Sequence, residues 1–180
     1  MKFRLAACLL LVAGVVYGQQ VPFERILDAN NEPQNWLTYG GTLFNQRYSL
    51  LNQITIDNVK SLELQWVLQV RALDGITKFE ATPLVVDGVM YVVKPPMPNY
   101  EVVALDAASG RIFWTYTYTP TEARTCCGRN SKGVAIRGDR LYLATIDAHL
   151  IAIDTKTGRE VWNKKVESPA TGTPIDYSFT

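Results

Sequence analysis

Charge of either sign is scarce and nearly balanced: 18 Lys and Arg stand against 17 Asp and Glu in 180 residues. No basic patch and no long charge run occurs, so nothing points to a nucleic-acid partner. Long apolar runs are also lacking. The one candidate, Leu5 to Val16, is too short to span a bilayer and argues against a permanent transmembrane anchor. Histidine occurs once, as His149 in IDAHLIAID, where its place between two strands reads as an exposed turn rather than a ligand. Cysteine occurs three times, as Cys8, Cys126 and Cys127.

The short apolar run has another meaning. Lys2 and Arg4 precede it, and Val16 and Gly18 supply small side chains after it, the pattern of a secretory signal over residues 1–18. Leu5-Ala6-Ala7-Cys8 resembles a lipoprotein box, but it sits before most of the apolar run, so Cys8 reads as an apolar signal residue. Export would leave 16 basic against 17 acidic residues and would carry Cys126 and Cys127 into a compartment where disulfides persist.

Those two cysteines are adjacent, in TCCGRNSKG. Consecutive α-carbons lie about 3.8 Å apart, less than the roughly 4.4 to 6.8 Å a disulfide usually spans. A bond between them would close a rigid, distorted eight-membered ring, a flat polarizable surface on which a planar ligand could stack. Strain of this kind collects at functional sites. The pair could equally stay reduced or join cysteines beyond Thr180.

What the sequence has in quantity is a repeat. VVALDAASGRIFW (102–114) and LIAIDTKTGREVW (150–162) superimpose, each an apolar run, an Asp, a turn ending in Gly, and a second run closing on Trp. Trp66, Trp114 and Trp162 are spaced 48 residues apart. A period in the range of 40 to 50 residues marks propeller blades. The runs between the turns are short and rich in β-branched and aromatic residues: ATPLVVDG, VMYVV, EVVALD and RIFWTYTY, then GVAIRGD, RLYLAT, HLIAID and EVWNKKV. The fold class is therefore all-β, a β-propeller of four-stranded blades. The expected organisation is an N-terminal extension at 19–61, a leading outer strand at 62–70, blades at 80–118 and 132–166, and the start of a further blade at 178–180. Propellers close with roughly 4 to 8 blades, so this chain reads as an N-terminal fragment exposing unpaired strand edges.

Details follow from the same pattern. The tryptophans should pack between blades with their indole N–H bonded to a turn, and Asp106 and Asp154 should fix turn N–H groups. Thr55 should cap a short helix with Val59 and Leu62 facing inward, while Gln20 to Asn35 carries no strong pattern and should run over the surface. Loops leading into the inner strands meet at one mouth of a propeller. That brings together Glu80, the Cys126-Cys127 loop and Thr180.

NWLTYGG…NQRYS, FEATPLVVDGVMYV, CCGRNSKGVAI and the tryptophan units together resemble the quinoprotein alcohol dehydrogenases, which use pyrroloquinoline quinone with calcium. The resemblance covers residues 35–180 and implies a total of eight blades. It implies that Glu80 and Thr180 hydrogen-bond the cofactor and that Cys126 and Cys127 form a vicinal disulfide against one face of the quinone. Lys132 falls where the family has a cofactor-contacting arginine, so a point ammonium replaces a planar fork. No catalytic residue or metal ligand is assigned in this sequence. The implied calcium ligands and aspartate base lie beyond Thr180. The implied activity is oxidation of an alcohol to a carbonyl in the periplasm, with hydride passing to the quinone and electrons to a cytochrome. Two alternatives compete: a non-enzymatic propeller scaffold like the outer-membrane assembly factors, which need neither the cysteine pair nor Glu80, and a sugar dehydrogenase of quinone type.

Overall fold

The structure is a computed structural model that describes residues 20–69, 79–94, 96, 98–121 and 130–166. Residues 1–18, read from the sequence as a signal, and Cys126, Cys127 and Thr180 lie outside the described residues.

Two four-stranded antiparallel sheets form the body. The first comprises β1 (Leu84–Val86), β2 (Val89–Lys94), β3 (Tyr100–Asp106) and β4 (Ile112–Tyr118), in spatial order β1-β2-β3-β4. The second comprises β5 (Ala135–Arg137), β6 (Arg140–Ala144), β7 (His149–Asp154) and β8 (Glu160–Lys165), in the same order. Each sheet is a meander of hairpins, the connectivity of a propeller blade. Asp87-Gly88, with Val86 opposite Val89, makes the tight turn between β1 and β2.

Burial grades outward across each sheet. Val102, Val103, Ala104 and Leu105 of β3 are at most 1% exposed, so this strand is covered on both faces. On one side Val102 and Ala104 join Tyr91, Val93 and Tyr100 against Ile136, Leu141, Leu143, Ile151 and Ile153 of the second sheet. On the other, Val103 and Leu105 join Val92 against Trp66 and Leu68. β4 and β8, by contrast, have no buried residue. Both sheets carry a register shift at the same point, after Ala104 and after Ala152. The residues passed over, Phe113 and Val161, are 44% and 45% exposed. A bulge bends the outer strand there, beside Trp114 and Trp162.

Trp66 and Trp114 dock as expected. Trp66 Nε1 donates to the Ala107 carbonyl at 3.1 Å, and Trp114 Nε1 to the Thr155 carbonyl at 3.1 Å. A glycine floors each ring: a Cβ built on Gly110 would lie 2.7 Å from Trp66, and one on Gly158 2.6 Å from Trp114. Both turns are held by carboxylates as foreseen. Asp106 Oδ1 accepts the N–H groups of Ala108 and Ser109, and Asp154 Oδ1 those of Lys156 and Thr157. Residues 62–69 make no ladder among the described residues; Trp66 anchors them to the first sheet.

Three expectations are corrected. Gln20 to Asn35 does not wander over the surface. Val21 is fully buried and pairs with Gly138 through two backbone bonds, 2.9 and 2.8 Å, and a short helix, α1 (Phe23–Leu27), buries Ile26. Arg25 then reaches Glu32 and the Asp87 turn, with Nη2 2.8 Å from Asp87 Oδ1. A five-residue helix cannot stand alone; these contacts hold it. Thr55 does cap a short helical turn, its Oγ1 accepting the Asn58 N–H while Asn58 Oδ1 accepts the Thr55 N–H. But the turn is a 3-10 helix of three residues, Val59–Ser61, and Val59 and Leu62 face outward, 44% and 61% exposed. His149 is half-buried in β7, its ring 5.8 Å from that of Tyr118 and Nδ1 2.6 Å from Asn163 Oδ1, because the hairpin turn falls one residue earlier.

Candidate functional site

β1 and β5 are the first strands of their sheets, and the residues leading into them lie side by side. Ala81 and Val134 are buried on these approaches, 8% and 5% exposed, and draw the two backbones together. The Thr82 N–H donates to the Lys132 carbonyl at 3.3 Å. Gly133 makes so close a contact possible. Its φ is +117°, which L side chains rarely adopt, and an added Cβ would stand 3.1 Å from the Thr82 carbonyl oxygen. Ser131, 8% exposed, accepts the Gly133 N–H on Oγ at 3.2 Å and fixes the turn from the inside.

On this frame Lys132 Nζ donates to Glu80 Oε2 at 2.7 Å, across 52 residues of sequence. The side chains are 29% and 30% exposed, so the pair is neither free in solvent nor sealed in the core. A pair so placed contributes at most about 1 kcal/mol to stability. What it presents is chemistry: an anionic acceptor and a cationic donor, held together at one edge of an inter-blade seam.

Of the five residues singled out from the sequence, the structure thus brings Glu80 and Lys132 into contact. Cys126, Cys127 and Thr180 lie outside the described residues. Thr82, Ser131 and Gly133 were not foreseen. The sequence signal for Ser131 and Gly133 is SKGVAI itself, a glycine between a cation and an inner strand, while Thr82 carries none beyond its place just before β1. No group of three His, Cys, Asp or Glu fit to hold a metal occurs among the described residues, and no described helix is long and apolar enough to cross a membrane.

A second polar cluster lies at the outer seam. Asp147, in the turn between β6 and β7, accepts from Tyr118 Oη at 2.8 Å, from the Thr121 N–H at 3.0 Å and from Thr145 Oγ1 at 2.5 Å. Burial pushes the Asp147 carboxyl up, but hydrogen bonds from Thr145, Thr121 and Tyr118 outweigh it, and the net direction is below the usual carboxylate range. Burial, then the bond to Asp147, raises the Tyr118 hydroxyl. Every member has a partner, so the cluster welds the blades.

Comparison with known proteins agrees with this geometry. Residues 36–152 match the family model described as PQQ, the glucose/ethanol/alcohol dehydrogenase β-propeller domain. Quinohemoprotein alcohol dehydrogenase ADH IIB of Pseudomonas putida is 44% identical over 138 residues, 75% of this chain and 19% of that protein. The dehydrogenase subunit of alcohol dehydrogenase (quinone) of Gluconacetobacter polyoxogenes is 39% identical over 167 residues, 91% of this chain and 22% of the subunit. Among solved structures, quinohemoprotein alcohol dehydrogenase ADHIIG of Pseudomonas putida HK5 superposes with a TM-score of 0.72 at 37% identity, covering 86% of this chain and 22% of that one. The chain spans about a fifth of the length of these relatives. Two meander blades joined by the docked Trp114, with an ion pair where their first strands begin, and a family match over residues 36–152 lead to one statement: the chain belongs to the PQQ β-propeller family of glucose, ethanol and alcohol dehydrogenases.

Proposed function

We propose that this chain forms the N-terminal part of an exported, periplasmic quinoprotein dehydrogenase that oxidises an alcohol to a carbonyl with pyrroloquinoline quinone and calcium. Electrons leave to a cytochrome or a quinone, in line with the haem and quinone in the relatives' names. The observation that carries the reading is the Glu80–Lys132 pair just ahead of β1 and β5. Pyrroloquinoline quinone is a flat tricarboxylate with a ring N–H and quinone carbonyls, so it needs a cation for its anionic edge and an acceptor for its N–H. Lys132 is such a cation and Glu80 such an acceptor, and each is partly exposed.

In this reading Lys132 holds a cofactor oxygen and Glu80 orients the ring. The bonded Cys126-Cys127 pair covers one face, and Thr180 adds a hydrogen bond. The quinone, when bound, supplies the two-electron acceptor. The protein's residues supply orientation and electrostatics. Calcium and the base are held outside the described residues.

The test is reconstitution of the intact protein, stripped of cofactor. Reduction of an artificial dye should require both the quinone with calcium and an added primary or secondary alcohol. Reduction driven by an aldose alone would move the reading to a sugar dehydrogenase, and no substrate-dependent reduction with quinone bound would overturn it.

A further inference from the structure

A cavity of about 410 Å³ lies where the N-terminal segment meets the second sheet. Phe23, Ile26, Leu37 and Leu43 wall it on one side. Ala135, Tyr142 and Leu150 line it on the other. These three alternate along their strands with Ile136, Leu141 and Ile151, which pack against the first sheet. The cavity is thus on the face of the second sheet that the first does not cover. We propose that it receives residues 175–179 of this same chain, whose apolar side chains dock there and close the N-terminal segment onto the second sheet.

Size and pattern select this occupant. Protein interiors leave few voids larger than a water molecule, and Phe23 and Leu43 are still 42% and 54% exposed beside this one. An apolar space so large calls for bulky side chains. Residues 167–180 lie outside the described residues, and their only large apolar side chains are Ile175, Tyr177 and Phe179. In IDYSFT these three alternate with Asp176, Ser178 and Thr180. Alternate side chains of an extended stretch share a face, so one face is apolar and the other polar. With the first face in the cavity, Asp176, Ser178 and Thr180 turn away from it.

The repeat gives the same answer. The tryptophan spacing of 48 carries Ser131 onto Phe179. Ser131 is 8% exposed where the chain enters the second sheet beside Thr82 of the first. One repeat on, the corresponding approach runs beside Val134 and Ala135, which line the cavity. A serine fills the first place, and a phenylalanine is supplied for the second, where the space is. Tyr142 repeats Tyr91 in the same way. Each stacks on its tryptophan, at 6.0 and 5.9 Å, but Tyr91 is fully buried by the second sheet and Tyr142 only half-buried. The chain can also reach. The Val166 N–H donates to the Ala148 carbonyl at 2.7 Å, at the end of the second sheet where β5 begins. Four strands are about 14 Å across, and the nine residues from Val166 to Ile175 span roughly 30 Å when extended.

The test places p-benzoylphenylalanine at position 179 of the intact protein and maps the light-induced cross-links by mass spectrometry. The main product should join position 179 to residues 21–43 or 134–142. A covalent dimer would show that a second copy fills the cavity or meets the segment instead. Cross-links to parts of the polypeptide outside those two ranges would show that residues 175–179 lie elsewhere. Either result would overturn the proposal.

A size swap gives a second readout. Ala135→Phe should lower the urea midpoint of the intact protein, because the space is already taken and overpacking destabilises. With Phe179→Ala present as well, the same change should lower the midpoint less, or raise it. Equal losses in the two backgrounds would mean that the Phe179 side chain does not occupy the cavity. If Phe179→Ala does not fold, Phe179→Val frees part of the same space and serves the same comparison.

Discussion

A methyl group added at position 158 would strike the ring of Trp114. Gly158 has φ +69° and no room for a Cβ, while Gly88 has φ +81° and nothing within 4 Å of where its Cβ would go. The two positions separate backbone strain from overpacking. Gly88→Ala should cost about 1 to 2 kcal/mol, the left-handed penalty alone. Gly158→Ala should cost roughly 1 to 3 kcal/mol more, since the indole must shift. Urea denaturation of the intact protein measures both, and equal losses would mean that the tryptophan docks loosely. The turn at Thr157-Gly158 was legible from the sequence as a turn. Its second duty, as the floor under a ring 44 residues earlier, was not, because no local pattern encodes it. Glu80 and Lys132 were legible as site residues only through resemblance to a family; their bond to each other depends on how two blades pack.

At the scale of elements, the N-terminal segment ties two blades together. Its buried Val21 pairs with Gly138 in the turn after β5, and Trp36 pairs with Val85 in β1. Between these points Arg25 binds both Glu32 and Asp87, and Asn35 accepts the Asp87 N–H at 2.9 Å. The Arg25 guanidinium holds both carboxyls below their usual range. Carboxyls depressed in the folded state add stability that is present above their unfolded pKa, about 4. That stability is lost as pH falls through the lower folded values. Arg25→Met should therefore destabilise the protein at pH 7 and should lose less stability than wild type between pH 5 and pH 3, measured by denaturation at each pH. A variant with the wild-type slope would show that the network contributes nothing. The strands and their order were readable from alternation and turn pairs. This segment was not, because its apolar residues, Val21, Ile26, Ala29 and Leu37, follow neither a helical nor a strand period and its polar contacts are distant in sequence. The bulges at Phe113 and Val161 escaped for a similar reason, since one extra residue leaves the composition of a strand unchanged.

At the scale of the whole molecule, the described part of residues 43–67 exposes Phe44 at 80%, Ile56 at 91%, Leu64 at 81% and Val67 at 71%. Apolar surface on that scale marks an interface. Produced alone, the chain should self-associate, and sedimentation that finds a clean monomer would contradict this. On the proposed export, the intact protein should also carry Cys126 and Cys127 bonded together and closed to alkylation until it is reduced. Ready alkylation of both thiols in cofactor-loaded material would remove the proposed wall for the quinone, though not the propeller. The tryptophan spacing of 48 made the architecture plain in advance, because a repeat encodes its own packing partner.

The most direct test is a crystal structure of the intact protein soaked with pyrroloquinoline quinone. Cofactor density should lie in contact with the Glu80 carboxylate and the Lys132 ammonium, between the segments that lead into β1 and β5. Density elsewhere, with the Glu80–Lys132 bond undisturbed and nothing beside it, would contradict the proposed site.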